Sequence, residues 1–300
     1  MKKLLITGSN GFIAGSVIAH AKNDWEVHGI ARSALPDDYG NVHYHLLDLL
    51  DAEGLTNLFN KVKPDVVIHA AAIANIDFCE KNKSIAEDIN VGVTNTIAQL
   101  CKEADIKMIH CSTDTVFDGI KGYYTEDDLP NPVNFYAETK IRSEEIVLKA
   151  SSKNVVARLA LVMGLLSREK GNSFLFDLIE KLKKNEEVKF AENEIRTPVD
   201  VVTLGAALVE LAGNHFSGII HLSGNTRINR FEMAKEIATA LEFSPQLIIP
   251  TNSNTIPDRA PRPNDASMIN AKAKQILKTP MRSLQEGLAL VLHKKIKESI

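Results

Sequence analysis

The opening stretch restricts the fold more than any other part of the chain. Residues 3–7 are a short apolar run that stops at Gly8-Ser9-Asn10-Gly11-Phe12-Ile13-Ala14-Gly15, after which Val17, Ile18 and Ala21 recur at helical spacing. The pattern reads strand, glycine turn, helix. Such a turn presents bare backbone, so a pyrophosphate can approach closely and receive N–H groups from the helix start. The spacing is Gly-x-x-Gly-x-x-Ala, with Ala14 where a third glycine often stands and Gly15 just after it. A lone glycine cluster is a weak signal, but one directly after a strand stands in the context a dinucleotide site requires.

The same alternation continues. Strands are expected at Trp25–Ile30, Val42–Leu47, Asp65–His69, Ile106–His110 and Asn154–Leu161, with a helix at Asp51–Lys61. The apolar positions Ile85, Ile89, Val93, Ile97, Leu100 and Cys101 predict one long helix from Ser84. The implied fold class is α/β, a Rossmann-type doubly wound parallel sheet. Ligands of such sheets bind beyond the carboxyl ends of the strands, where Gly8, Arg32, Asp48, Ala70 and Thr113 fall. Ala70, Ala71 and Ala72 leave room for a flat ligand, or equally serve close packing, and His69 reads as a structural histidine.

The expected division is residues 1–163 as the dinucleotide-binding domain, carrying the catalytic residues, and 164–300 as a smaller mixed α/β substrate-binding region with some segments returning to the sheet. In the second part the pattern predicts helices at 172–184, 200–212 and 229–242, strands near 187–190, 217–222 and 246–249, and a terminal helix. Asn229 with Glu232 and Ser283 with Glu286 are helix starts of capping-box type.

Bulk properties exclude several functions. With 44% hydrophobic and 24% charged residues in 300, a sizeable core is expected. A net charge of −3 offers no basic footprint for nucleic acid. No stretch is apolar enough to cross a bilayer, and Gly8-Ser9-Asn10 interrupts the first apolar run before a signal-peptide core could form. Cys79, Cys101 and Cys111 are odd in number and lack metal-ligand spacing, so they read as reduced thiols of a cytoplasmic protein, and no metal-ligand cluster is visible in the sequence. Cys111 reads as a small buried residue at a strand end.

Chemistry is suggested near the middle. Tyr136 and Lys140 lie four residues apart on one helix face, so the ammonium can sit near the phenol and stabilise its ionised form. Alone, the pair reads rather as an exposed helix face with a snorkelling lysine. After the second strand, Arg32 and Ser33 stand where an acidic residue would hold a ribose 2′-hydroxyl, and arginine there accommodates a 2′-phosphate. That favours NADP over NAD, although a solvated arginine at a strand end fits the same residues. The loop Pro257-Asp258-Arg259-Ala260-Pro261-Arg262-Pro263-Asn264 could grip a diphosphate through Arg259 and Arg262, or serve as a stiff connector.

These pieces together, with Ser112-Thr113-Asp114-x-Val116-Phe117-Asp118-Gly119 and Arg196-Thr197-Pro198-Val199, resemble the extended short-chain dehydrogenase/reductase superfamily, and within it the dTDP-4-dehydrorhamnose reductase branch. The resemblance spans essentially the whole chain, and Asn90 matches the superfamily's helix flanking the active site. It implies that Tyr136 delivers a proton to a ketone, that Lys140 binds the nicotinamide ribose and lowers the phenol's pKa, and that Thr113 holds the carbonyl oxygen. It places Gly8, Asn10, Gly11, Phe12 and Ile13 along the pyrophosphate, Arg32 and Ser33 at the adenosine ribose, Asp48 and Leu49 beside the adenine, and Ala70, Ala71, Ala72 and Asn90 in the cofactor site. Asp114, Thr115, Arg196, Arg259 and Arg262 would face a nucleotide-sugar substrate.

One departure bears on that substrate. Thr115 stands where the branch usually carries an aromatic residue touching the sugar, and no Asp-Glu pair of the related dehydratases follows Thr113. The implied activity is NADP(H)-dependent reduction of a keto group on a nucleotide-linked sugar. A nucleotide-sugar epimerase retaining NAD shares the same residues, and the regulatory subunit of methionine adenosyltransferase resembles the same branch without catalysing a reduction. Homodimers are common in the superfamily.

Overall fold

The computed structural model describes residues 1–33, 42–165 and 173–298, the last six of these by backbone alone. Strands β1 (Lys2–Thr7), β2 (Trp25–Ala31), β3 (Val42–Leu46), β4 (Val66–His69), β5 (Lys107–Thr113) and β6 (Val155–Leu159) alternate with helices α1 (Phe12–Ala21), α2 (Ala52–Val62), α3 (Ile76–Lys81), α4 (Lys83–Glu87), α5 (Val93–Glu103) and α6 (Phe135–Ala150). The chain then makes β7 (Val162–Met163), α7 (Phe174–Lys183), β8 (Val188–Ala191), β9 (Ile195–Arg196), β10 (Val199–Asp200), α8 (Val201–Gly213) and β11 (Gly218–Leu222). It ends with β12 (Ile228–Asn229), α9 (Arg230–Ala240), β13 (Ile248–Thr251), α10 (Ala271–Ile276) and α11 (Leu284–Glu298). The expected helix start at 172 lies outside the described residues.

Among the described residues one seven-stranded sheet has the order β11-β6-β5-β4-β1-β2-β3, and all its pairings are parallel. β11 comes from the second half of the chain and pairs with β6 from Gly218↔Val155 to Leu222↔Leu159. Both faces of the sheet are covered, as parallel strands require. Leu4, Ile6, Val27, Ile68 and Ala157 pack on one side with Val17 and Ile18 of α1 and Leu204, Leu208 and Leu211 of α8. Leu5, Ile30, Val67, Met108 and Val156 pack on the other with Leu55 and Phe59 of α2, Ile97 of α5 and Val147 of α6. This alternation is why the strands read as nearly continuous apolar runs.

A separate core of Leu175, Leu178, Phe190, Met233, Ile237, Ile248 and Leu288 builds the smaller region around α7, α9 and the parallel β8–β13 pair. The capping expectations hold there. Asn229 accepts from the Glu232 N–H at 2.8 Å, and Ser283 and Glu286 exchange reciprocal bonds of 2.8 and 3.3 Å.

The long helix expected from Ser84 is interrupted. α4 ends at Glu87, a π-helical turn spans Asp88–Gly92, and α5 begins at Val93. The reason is legible in retrospect: apolar residues spaced strictly by four drift about 40° per repeat on a regular α-helix. The wider turn absorbs part of that drift, and Ile85, ahead of it, stays exposed. Such turns frequently mark functional sites.

Candidate active site

The order of strands reverses between β4 and β1, and a cleft of about 700 Å³ opens beyond their carboxyl ends. Gly8, Asn10 and Gly11 line it from β1, Arg32 and Ser33 from β2, Asp48 and Leu49 after β3, and Ala70, Ala71 and Ala72 after β4. Gly8 has φ of +68°, and a Cβ there would meet the Ala71 backbone at 3.0 Å. Glycine is therefore required both by the left-handed turn and by the approach of the β4 loop. Gly11 caps α1 with no side-chain hydrogen bond, which leaves the first N–H groups of that helix open toward an anion. Asn10 donates to the Ser33 hydroxyl at 2.9 Å and joins the first turn to the end of β2. An open helix start and a glycine cradle beside a long cleft fit the pyrophosphate and adenosine of a dinucleotide.

The side chains of Phe12 and Ile13 are half-buried, Phe12 beside Gly164 and Ile13 against the core, with their backbone at the glycine turn. Asn90, on the π-helical turn, is buried. Its side chain accepts from Ile73 N–H at 2.8 Å and donates to the Ile73 carbonyl at 3.2 Å and to Thr139 at 3.1 Å. The residue clamps the loop after β4 to α6.

The catalytic candidates converge beyond β5. Thr113 ends that strand, and its hydroxyl accepts from Thr115 N–H at 3.2 Å and lies 3.1 Å from the Thr115 hydroxyl. Asn134 starts α6 by accepting from Ala137 N–H at 3.0 Å, which turns Tyr136 and Lys140 inward. Both are buried. Burial pushes the Tyr136 phenol well above its ordinary pKa, the Thr113 side chain opposes this by hydrogen bonding, and the Asp114 carboxylate reinforces it. Burial pulls Lys140 down to about 8. Its ammonium donates to His110 Nε2 at 2.9 Å.

Sequence reasoning did not single out the framework behind this group. Ser112 donates to Glu144 at 2.5 Å, and Arg158 forks onto the same carboxylate at 2.8 and 3.1 Å. Glu144 lies one turn after Lys140, so this buried pair ties α6 to β5 and β6. A glutamate at i+4 from the lysine, with an arginine inside an apolar strand, was the available signal.

Beyond Asp114 lies a cluster of charge. Arg259 reaches Glu194 at 2.9 Å, while Arg196 and Arg230 stand 3.8 and 3.9 Å from it. Arg196 also lies 3.7 Å from Asp114. Burial pushes Glu194 up, and the three guanidiniums overcome this and hold it below the usual carboxylate range. Asp114 is pushed up by burial against the pull of Arg196. Arg262 does not join this cluster. It forks onto Asp77 of α3 at 2.9 and 2.8 Å and so latches the proline-rich loop to the dinucleotide-binding half. The same loop accepts from Asn134 through the Pro261 carbonyl at 3.0 Å. His69 bonds Thr7 at 2.7 Å and Thr94 at 3.0 Å, a buried structural role. The three cysteines are free and buried. No helix among the described residues is long and apolar enough to cross a membrane.

Comparison with known proteins agrees with this geometry. The model of the family described as RmlD substrate binding domain matches residues 1–296. A hypothetical dTDP-4-dehydrorhamnose reductase from Sulfolobus tokodaii has a crystal structure that superposes with a TM-score of 0.84 at 30% identity, covering 96% of this chain and 99% of that one. The dTDP-4-dehydrorhamnose reductase of Bacillus anthracis in complex with NADP superposes with a TM-score of 0.85 at 24% identity, covering 98% and 100%. Methionine adenosyltransferase 2 subunit beta of Mus musculus is 28% identical over 298 residues, 96% of this chain and 87% of that protein.

Proposed function

The chain belongs to the RmlD substrate binding domain family, and from that premise we propose that it is an NADP(H)-dependent reductase of a keto group on a nucleotide-linked sugar. The observation that carries the reading is the hydrogen bond between the Thr113 side chain and the buried Tyr136 phenol at the end of β5, with the buried Lys140 one turn further along the same helix. When bound, a dihydronicotinamide supplies the hydride. Tyr136 gives the proton to the nascent alkoxide, and its raised pKa keeps the phenol protonated for that step. Thr113 holds the carbonyl oxygen as charge develops on it. Lys140, one turn after Tyr136 on α6, would carry its charge to the nicotinamide ribose. Arg32 and Ser33 at the end of β2 favour a 2′-phosphate over a bare ribose, and the fold relative from Bacillus anthracis was solved with NADP.

The test compares NADPH and NADH affinity, then follows nicotinamide absorbance with dTDP-4-dehydrorhamnose and with UDP- and GDP-linked keto sugars. Preferred NADPH binding and oxidation on one of these sugars is the expected result. Firmly retained NAD with interconversion of sugar epimers would replace the reductase by an epimerase. A second reading, a regulatory module, is favoured by the similarity to methionine adenosyltransferase 2 subunit beta over nearly the whole chain. Dinucleotide binding without turnover of any ketone, together with a stoichiometric protein partner, is the outcome that would establish it.

A further inference from the structure

Lys140 has a specific anchor that the catalytic triad does not explain. Its side chain is 2% exposed, and an ammonium so buried needs an acceptor, because it has three donors and no lone pair. The carboxylate on its own helix, Glu144, is already held by Ser112 and by the Arg158 fork. The Asn90 carbonyl, which this part of α6 also reaches, accepts from the Thr94 and Ser143 hydroxyls at 2.6 and 2.8 Å. The neighbouring Cys111 thiol is pushed up by burial to about 12 and is neutral. What remains is His110 Nε2 at 2.9 Å, on the strand that delivers Thr113.

The direction of that bond fixes the imidazole. To accept from an ammonium, Nε2 must carry its lone pair, so the ring is neutral with its proton on Nδ1. The surroundings agree. His110 is fully buried, and Lys140 on α6 and His69 on β4 both disfavour a charged ring, with the His69 and His110 ring centroids 5.4 Å apart. His69 is occupied by Thr7 and Thr94 and offers His110 no bond from its own nitrogens. Among the described residues His110 Nδ1 has no hydrogen-bond partner.

We propose that His110 is a positioning residue for Lys140: a neutral Nδ1–H imidazole that accepts one ammonium proton and thereby aims the other two at a bound ribose. The catalytic consequence rests on the reductase reading; the contact itself does not. The titratable groups facing the ammonium are His110 and Cys111 on β5, His69 on β4 and Glu144 on α6.

Two measurements test it on the full chain. Long-range proton–nitrogen NMR of the wild-type protein should show His110 as a neutral Nδ1–H ring from pH 5 to 7, where Lys140 is an ammonium. An Nε2–H tautomer or an imidazolium in that range would overturn the assignment, since neither accepts from an ammonium. Second, lysine labelled with carbon-13 at Cε, with the Lys140 signal identified by its loss in Lys140→Met, reports the ammonium directly. His110→Leu should lower the Lys140 titration midpoint by about one pH unit, a tenfold shift in the protonation equilibrium. His110→Gln, which keeps an acceptor oxygen, should restore most of it. The alkaline limb of the kcat profile for NADPH oxidation should move in step. A folded His110→Leu variant with an unmoved Lys140 midpoint would sink the proposal. If His110→Leu does not fold, the wild-type tautomer decides alone. A moved midpoint without turnover of any ketone would uphold the anchor and count against the reductase.

Discussion

The two walls of the site are built on opposite principles. The catalytic wall, from β5 and α6, is a short-range hydrogen-bonded assembly in which the carboxylate Glu144 is matched by one forked arginine, Arg158, at 2.8 Å. The other wall gathers Arg196, Arg230 and Arg259 around Glu194, with two of the three contacts at 3.8 and 3.9 Å, beyond hydrogen-bond length. The carboxylate is bonded closely on the first wall and held loosely among several guanidiniums on the second. A wall built at hydrogen-bond length holds its side chains in place. One with surplus guanidinium donors is suited to an anionic ligand such as a diphosphate.

The largest expected effect probes the packing behind the catalytic wall. His69, His110 and His221 are fully buried, and their pKa values are depressed, to about 3 for His69 and His221 and well below the ordinary value for His110. Below pH 6.5 the unfolded chain takes up protons that these rings refuse, so stability falls as pH drops and goes on falling toward the folded-state values. Each ring contributes about 1.4 kcal/mol per pH unit in that window. Urea unfolding at pH 7 and pH 5.5 should therefore differ by several kcal/mol. Equal midpoints would show that the rings are reached by water.

Next in size, Tyr136→Phe should lower kcat by about 10²–10⁴-fold and leave dinucleotide affinity unchanged. An unimpaired variant would remove the phenol from its assigned role. The walls can then be set against each other directly. Arg158→Met strands the buried Glu144 carboxylate and should cost about 3–5 kcal/mol of stability. Arg259→Met leaves the buried Glu194 with two other arginines and should cost less than Arg158→Met, with its effect in KM for the nucleotide sugar. Similar stability losses in both would erase the contrast drawn here. Smallest, Asn134→Ala removes the cap of α6 and its bond to the Pro261 carbonyl. It should cost about 1 kcal/mol in chemical denaturation.

Much of the catalytic half was legible because its signals are local. The Gly8 turn, the alternation of strands and helices and the four-residue spacing of Tyr136 and Lys140 each lie within one element or one turn. The break at Asp88–Gly92 escaped because a four-residue apolar repeat is compatible with a continuous helix until packing is known. His110 and Glu144 escaped because each looks ordinary in sequence: a histidine in a strand, a glutamate on a helix. The proline-rich loop shows the same limit. Its two arginines read as a pair, yet Arg259 turns to Glu194 and Arg262 to Asp77 on the other half of the molecule.

By itself the amino-acid sequence determined the parallel α/β sheet, the glycine turn that opens α1 and the presence of Thr113, Tyr136 and Lys140, because backbone periodicity and turn chemistry act over a few residues. The tertiary structure decided which partner each buried charge finds. It bonded Lys140 to His110, Glu144 to Arg158 and Arg262 to Asp77, and it collected Arg196, Arg230 and Arg259 around Glu194. Those pairings join residues from different elements, some nearly two hundred positions apart. A charge taken out of water must be matched by whatever the folded chain brings within a few ångströms, and separation along the sequence carries no information about that.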